Sequence, residues 1–504
     1  MTNVRLPTEC LLKIFENFSP EYHFWNEDYK LLHKCILVDR EWCITAVSIL
    51  WREPLDWIHF SVGTSRNEDR LSSIVSTYLS CLPQEVKSNL IQDGINLPLN
   101  YSNPLFDYPK FLQSLDYGTL YKSINGWLKI TRQLRELNKL NVTYKVFQVF
   151  NSLSKLFMDK CHLKRLHFSK GAKVDFILPL TTLPNANICL ANLTTFMCEG
   201  CTMPEIMFAA AKICKYISEF QIFCCCKDNK GLATLIESQK VPLKYIFIKA
   251  TKSGNFPFLG RALRKRVHSV RDLWIHGHCS MMDTFSTSHD LQHLFIYPTT
   301  NTITVDRKSM EKFVNSKFTQ LRELEISLKV ITLKQLCTLI RNTGGVFESI
   351  LILWSEPPDV ENLTLLAETV IQYGKNLNYY EAPFSHESIH YLPLLFQSCQ
   401  KLEVLHILSK EEEEGFIYDI SDIFSKLGEI VPLSLQKFVI NHTWDVSAEA
   451  LEAFLFYCSK RLKTKLDFNL DNTTSDHDLI LYRYSLKGVC TFGSNDFASD
   501  YYIC

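Results

Sequence analysis

Two groups of residues in this 504-residue sequence have types and spacings that could do chemistry. HESIH at 386–390 satisfies H-E-x-x-H: on an α-helix His386 and His390 stand one turn apart and can share a zinc ion, with Glu387 as general base for an attacking water. Glu403 and the run Glu411 to Glu414 are its nominal third ligands, and Pro393 disturbs any helix that carries the pair. CEGC at 198–201 and CCC at 224–226 offer C-x2-C and C-x-C, a thiolate set for tetrahedral zinc. No Gly-x-Gly-x-x-Gly, phosphate loop or Gly-x-Ser-x-Gly elbow occurs, and 17 glycines leave little material for phosphate cradles. KEEEEGF at 410–416 reads as a solvated loop or as a contact for a basic partner.

What would position these residues is a repeat. From Leu163 onward LKRLHF, LTTFMC, ISEFQI, LKYIFI, VRDLWI, LQHLFI, LRELEI, FESILI, LNYYEA, LEVLHI and LQKFVI share a template: apolar, two variable residues, apolar, one variable, then usually apolar. KTKLDF at 463–468 is a degenerate twelfth. Single intervals run from 21 to 33 residues, with a mean of about 27 that lies in the leucine-rich-repeat range. Between the templates, MPEIMFAAAKICKY, DRKSMEKFVNSKF, ITLKQLCTLIRNT, ENLTLLAETVIQYG and SAEALEAFLFYCSK carry apolar residues at helical spacing. Each repeat is thus a strand plus a helix, and their stacking predicts an α/β solenoid with a curved parallel sheet inside and helices outside.

Strand side chains alternate, so template positions four and six enter the core while five and seven reach the concave face. Position five reads Met197, Gln221, Phe247, Trp274, Phe295, Glu325, Leu351, Glu381, His406 and Val439; position seven adds Phe223, Lys249, His276, Tyr297 and Ser327. Phe223, Phe247, Trp274, His276, Phe295 and Tyr297 are therefore the candidate target-binding residues, an aromatic patch flanked by Lys249 and Glu325. A connector or the C-terminal tail lying over them is the competing expectation. The template also absorbs the cysteines. Cys201 and Cys225 fall eight residues after their first positions, where such repeats place Asn, Cys or another small hydrogen-bonding residue; the equivalents are Thr251, Thr299, Ser355, Ser385 and Thr443. Buried ladder cysteines are favoured over zinc, and neither metal nor cofactor is expected.

Apolar residues make up 46% and charged residues 21%, a globular composition, and the length exceeds what one core supports. Lys plus Arg equals Asp plus Glu at 54 each, so no basic field gathers nucleic acid or anionic lipid. Eighteen scattered cysteines, no secretory leader pattern and no apolar run of membrane-spanning length predict a chain of cytosol or nucleus.

The first fifty residues follow another pattern. Pro7 precedes Leu11, Leu12, Ile14, Phe15 and Phe18 at helical spacing, which predicts a helix over about Pro7 to Asn17. After SPEYHFWNED come two more apolar stripes, Leu31, Leu32, Cys35 and Val38, then Trp42, Ala46, Ile49 and Leu50, with Asp39 placed to cap the last helix. Three short helices bury little surface, which predicts a partner or an adjoining domain.

LPTECLLKIFENF followed by LHKCILVDREWCITAVSILW resembles an F-box, whose pattern falls here on Leu6 and Pro7, Glu9, Leu11, Ile14 and Phe15, Leu32, Cys35, Val38, Trp42, and Leu50 with Trp51. The resemblance implies that Leu6, Pro7, Leu11, Ile14, Phe15, Leu32, Cys35, Val38, Trp42 and Trp51 dock a Skp-family adaptor, and through it a cullin-RING ubiquitin ligase. It assigns Leu6, Pro7, Ile14 and Phe15 to a partner chain rather than to the interior. The expected organisation is an F-box at 1–53, a mainly helical connector packing on the repeats at 54–160, and about 11–12 irregular leucine-rich repeats at 161–504. The expected function is non-catalytic: recognition of a protein target for ubiquitination. A binding scaffold outside a ligase is the alternative, and an HExxH zinc metallopeptidase a remote one.

Overall fold

The computed structural model describes residues 6–18, 27–55, 65–97, 104–134, 139–169, 182–250, 256–277, 281–298, 306–354, 359–409, 417–441 and 443–492. The acidic run at 410–416, most of the connection at 19–28, and Thr251, Thr299 and Ser355 lie outside the described residues. The chain divides into two compact units, 1–243 and 244–504. The division falls inside the predicted repeat array, between Leu243 and Lys244, and not at the end of the connector.

The first unit begins with helices α1 (Thr8–Glu16), α2 (Glu27–Cys35) and α3 (Arg40–Leu50). Pro7 sets the entry to α1 with φ −56° and ψ 148°, and its carbonyl accepts from Cys10 and Leu11. Asp39 caps α3 as expected, its carboxylate accepting from the Trp42 amide at 2.8 Å. Helices α4 (Ser65–Ser80), α5 (Gln84–Gln92), α6 (Tyr117–Ile130) and α7 (Lys139–Lys160) follow. The connector expected to be mainly helical is interrupted after α6, which stops at Ile130, and Arg132 takes a left-handed φ of 59°. Fully buried Trp127 pins α6 to α4 through a 3.0 Å hydrogen bond from its indole to the Ser76 hydroxyl.

Strand β1 (Ser114–Asp116) lies within the segment expected to be helical connector. It pairs in parallel with β2 (Arg165–Phe168), which pairs with β3 (Thr195–Glu199) and β3 with β4 (Glu219–Cys225), in the register Leu115, Leu166, Phe196, Phe220. Buried Asp116 closes β1. Its side-chain oxygens accept from the Gly118 amide, the Thr119 hydroxyl at 2.6 Å and the Ser169 hydroxyl at 2.7 Å, so the buried carboxyl group is answered by hydrogen bonds. The Arg52 carbonyl, just beyond α3, accepts from both Gln113 and Ser114 amides. The Gln113 carbonyl does the same for Lys164 and Arg165, and the Lys164 carbonyl for Thr194 and Thr195. Arg52 therefore occupies the place of a preceding rung.

The second unit repeats the arrangement. Strands β5 (Tyr245–Ala250), β6 (Asp272–Gly277), β7 (His293–Tyr297), β8 (Glu323–Ser327), β9 (Ser349–Leu353), β10 (Tyr379–Pro383) and β11 (Val404–Leu408) are parallel neighbours in chain order. The short strands β12 (Tyr418–Asp419) and β14 (Trp444–Asp445) pair with each other, while β13 (Lys437–Ile440), β15 (Leu466–Leu470) and β16 (Cys490–Thr491) continue the main sheet. Template positions one and four are buried in every repeat that starts within this unit from Val270 to Leu435; Lys463 of the degenerate twelfth is exposed. The predicted helices form as Pro204–Ile213 in the first unit and Arg307–Val314, Leu333–Asn342, Val360–Tyr373 and Ala448–Arg461 in the second. Among its described residues the shortest interval, from Val270 to Leu291, has a 3-10 helix at Met282–Thr287 in place of an α-helix, as 21 residues leave little room for one after the strand.

Candidate functional site

The three amino-terminal helices close a core of Leu11, Phe15, Leu32, Cys35, Ala46 and Ile49, with Leu12, Phe18, Ile36, Trp42 and Leu50 packed at its margin. This divides the residues that the F-box resemblance singled out. Leu11, Phe15, Leu32 and Cys35 are buried, and Phe15, at 1% exposure, belongs to the interior and not to a partner. The reason is helical phase: Leu11 and Phe15 are one turn apart on the face that α3 covers, and the half-buried Trp42 ring meets Phe15 edge-on at 5.2 Å. Leu6, Pro7, Ile14 and Val38 remain exposed, and the structure adds Leu31, Leu37 and Ile44. Leu37, 85% exposed beside Val38 in the turn before Asp39, is the one its sequence position could have revealed. Trp51 is half-buried and turned inward. Its ring meets Tyr78 at 5.3 Å and Tyr108 at 4.3 Å, joining α3 to the segment that follows.

On the sheet, alternation falls as the template predicts: in β5, β6 and β7 positions four and six are buried while five and seven are half-buried. Phe247, Trp274, His276, Phe295 and Tyr297 lie together on the second unit. Trp274 and Phe295 stack at 4.0 Å with 23° between their planes, His276 lies 4.7 Å from Tyr297, and Phe247 lies 5.2 Å from His276. Burial, with Lys249 adding to it, pushes the His276 imidazole down to about 4, so it is neutral near pH 7 and acts as one more flat ring. Phe223 belongs to the first unit, where its ring is 5.7 Å from His167. Two face positions read from the template are instead buried, Ser327 at the end of β8 and Val439 in β13.

The same row continues into polar residues. Register aligns Trp274, Phe295, Glu325, Leu351, Glu381 and His406 on consecutive strands. Glu381 accepts from the Tyr379 hydroxyl at 2.6 Å and sits 2.8 Å from His406 Nδ1, while the buried Nε2 of His406 has no hydrogen-bond partner among the described residues. Glu325 takes a hydrogen bond from the Tyr297 hydroxyl, and burial pushes its carboxyl above the ordinary range. Tyr379, at template position three, was missed because nothing in the spacing says that its hydroxyl would reach position five.

HESIH does not form the helix that its chemistry needs. His386 and Glu387 lie exposed in a turn, Ser388–Tyr391 is a 3-10 helix, and the α-helix starts only at Leu392, with Pro393 in its first turn. The His386 ring stacks on Tyr418 at 5.3 Å. The cysteines divide likewise. Cys198 and Cys225 are buried, and burial pushes the Cys225 thiol up to about 12; Cys201 is exposed, a departure from its expected place in a ladder. Gly200 explains the close approach of the two turns: a Cβ there would lie 2.7 Å from Cys225 Cα. Thr443 fills the expected ladder role, its hydroxyl donating to the Ser409 carbonyl one repeat back, whereas buried Ser385 exchanges hydrogen bonds with Ser388 inside its own turn. Among the described residues no group of three His, Cys, Asp or Glu is placed to hold a metal, and no helix is long and apolar enough to cross a membrane.

No protein-family model matches the chain, and no curated protein shows significant similarity to it.

Proposed function

We propose that this chain is a substrate-recognition subunit of a Skp-cullin-F-box type ubiquitin ligase, built from an F-box and leucine-rich repeats and performing no chemistry itself. The observation that carries the reading is the set of large apolar side chains, Leu6, Ile14, Leu31, Leu37, Val38 and Ile44, left at the surface around a small three-helix core that is already closed. Such a unit has apolar surface to give to another chain without unfolding. The half-buried aromatic row on the second unit supports the other half of the role, holding a target while the ligase acts, which raises effective concentration.

Co-expression with a Skp-family adaptor tests it. The wild-type chain should co-purify with the adaptor, and Ile14→Asp, a change on an exposed position, should weaken the complex by at least about tenfold while thermal melting stays unchanged. The inward placement of Leu11, Phe15, Leu32 and Cys35 favours a second reading, a binding scaffold outside any ligase. A chain that stays free with adaptor in excess decides for the scaffold.

A further inference from the structure

The row that runs from Trp274 to His406 changes character at one step. On β6 and β7 it is aromatic; on β8 it presents Glu325 and on β10 Glu381. Glu381 has its answering groups within the chain, His406 and the Tyr379 hydroxyl. Glu325 has a neutral phenol, Tyr297, and among the described residues no Lys, Arg or His makes an ion pair with it. A carboxylate drawn part-way out of water and facing another carboxylate along the row is short of one positive charge.

Phe295 supplies the second part of the site. Stacked on Trp274 at 4.0 Å, it has one face covered, and the register Trp274, Phe295, Glu325 turns the other face toward β8. Adjacent strands lie about 4.8 Å apart. A planar cation seated over the β7–β8 step therefore meets an aromatic face and a carboxylate at once, and guanidinium is the side-chain group that both stacks on a ring and forks onto a carboxylate. Lys249, at the far side of the aromatic row on β5, repels such a group and so fixes which end of the row takes it.

We propose that the row on the second unit binds an exposed peptide segment bearing an arginine beside apolar residues, with the guanidinium between Phe295 and Glu325 and the apolar side chains on Trp274 and Phe247. The proposal rests on the reading of this face as the target-binding surface. It is independent of the adaptor: a chain that binds no adaptor leaves this test intact, and failure here leaves adaptor binding intact.

The immobilised full-length chain is used to select from a phage-displayed library of random linear dodecapeptides at pH 7. Enriched peptides should share a basic residue next to apolar ones. Replacing that arginine by citrulline in the synthetic peptide should weaken binding by about tenfold in fluorescence polarisation, and Glu325→Gln should do the same. With Glu325→Gln in place, citrulline should cost clearly less than it does in the unaltered chain, the remainder being its lost contact with Phe295, which marks the two groups as partners. Phe295→Leu, which keeps the strand apolar, provides a second variant and should weaken the arginine peptide more than the citrulline peptide. No enrichment, peptides without a basic residue, or losses from citrulline and Glu325→Gln that simply multiply would each overturn the proposal.

Discussion

Glu325 and Glu381 stand two strands apart on one row of the sheet face, and their surroundings pull them in opposite directions. Burial works to raise Glu381, but the hydrogen bonds from His406 and Tyr379 overcome it and hold the carboxyl below its ordinary 4.5. Burial raises Glu325, the Tyr297 hydrogen bond opposes this only in part, and the charge on Glu381 adds to it. A carboxylate held below its unfolded value contributes stability that is fully present above that value and is lost as pH falls through the folded one; a raised carboxylate costs stability at high pH, and the cost disappears on protonation. Glu381→Gln should therefore lower stability at pH 7 by about 1.5 kcal/mol, with the loss fading as pH drops below 4.5. Glu325→Gln should raise the melting temperature at pH 7 and lose that gain on acidification. Melting curves between pH 3 and 8 check both, and shifts of the same sign for the two variants would refute the assignment. Residue type and template position made both glutamates legible as surface groups. The sign of each shift was not, because that of Glu381 depends on a histidine 25 residues further on and a tyrosine two residues back, and that of Glu325 on burial set by neighbouring strands.

Helix α1 shows what an element adds to a motif. The apolar residues of its predicted span, Leu11, Leu12, Ile14 and Phe15 with Phe18 just beyond its end, cover an arc of about 160°, so spacing alone does not say which edge of that arc turns inward. The fold uses Leu11 and Phe15 inside and leaves Leu6 and Ile14 outside. Phe15→Ala should open a cavity worth about 3–5 kcal/mol, enough to unfold a core of this size, whereas Ile14→Ala should leave hydrogen exchange in α1 and α3 unchanged. Equal exchange in the two variants would mean that the helix is turned the other way. Strand β1 was missed for a related reason. LQSLDY fits the template at Leu112 and Leu115, but Tyr117 already opens α6, and a three-residue strand between helical segments gives too short a period-two signal to stand out.

At the scale of the whole molecule, the recurring apolar positions were the legible part, since each must be buried whatever the surface residues do. The division between Leu243 and Lys244 was not, because the template runs through it unchanged. Arrays of stacked repeats hold together through neighbour contacts, so damage should spread only as far as those contacts reach. In the second unit Phe438 lies within 6.0 Å of the rings of Phe396, Phe424, Phe454 and Phe468. Phe438→Ala should cost about 3–5 kcal/mol and speed amide exchange first in β11, β13 and β15, leaving β5 to β7 protected; uniform acceleration would show one cooperative block instead. The Arg52 carbonyl, which receives the Gln113 and Ser114 amides, bears on how this protein can be cut and transplanted. A hybrid joined at residue 53, where the amino-terminal motif ends, would leave the placing of the carbonyl that receives both amides to a foreign helix end and remove Trp51 from Tyr78 and Tyr108. A workable exchange of recognition modules has its seam further along, past β1, so that the first rung travels with the helices it is bonded to.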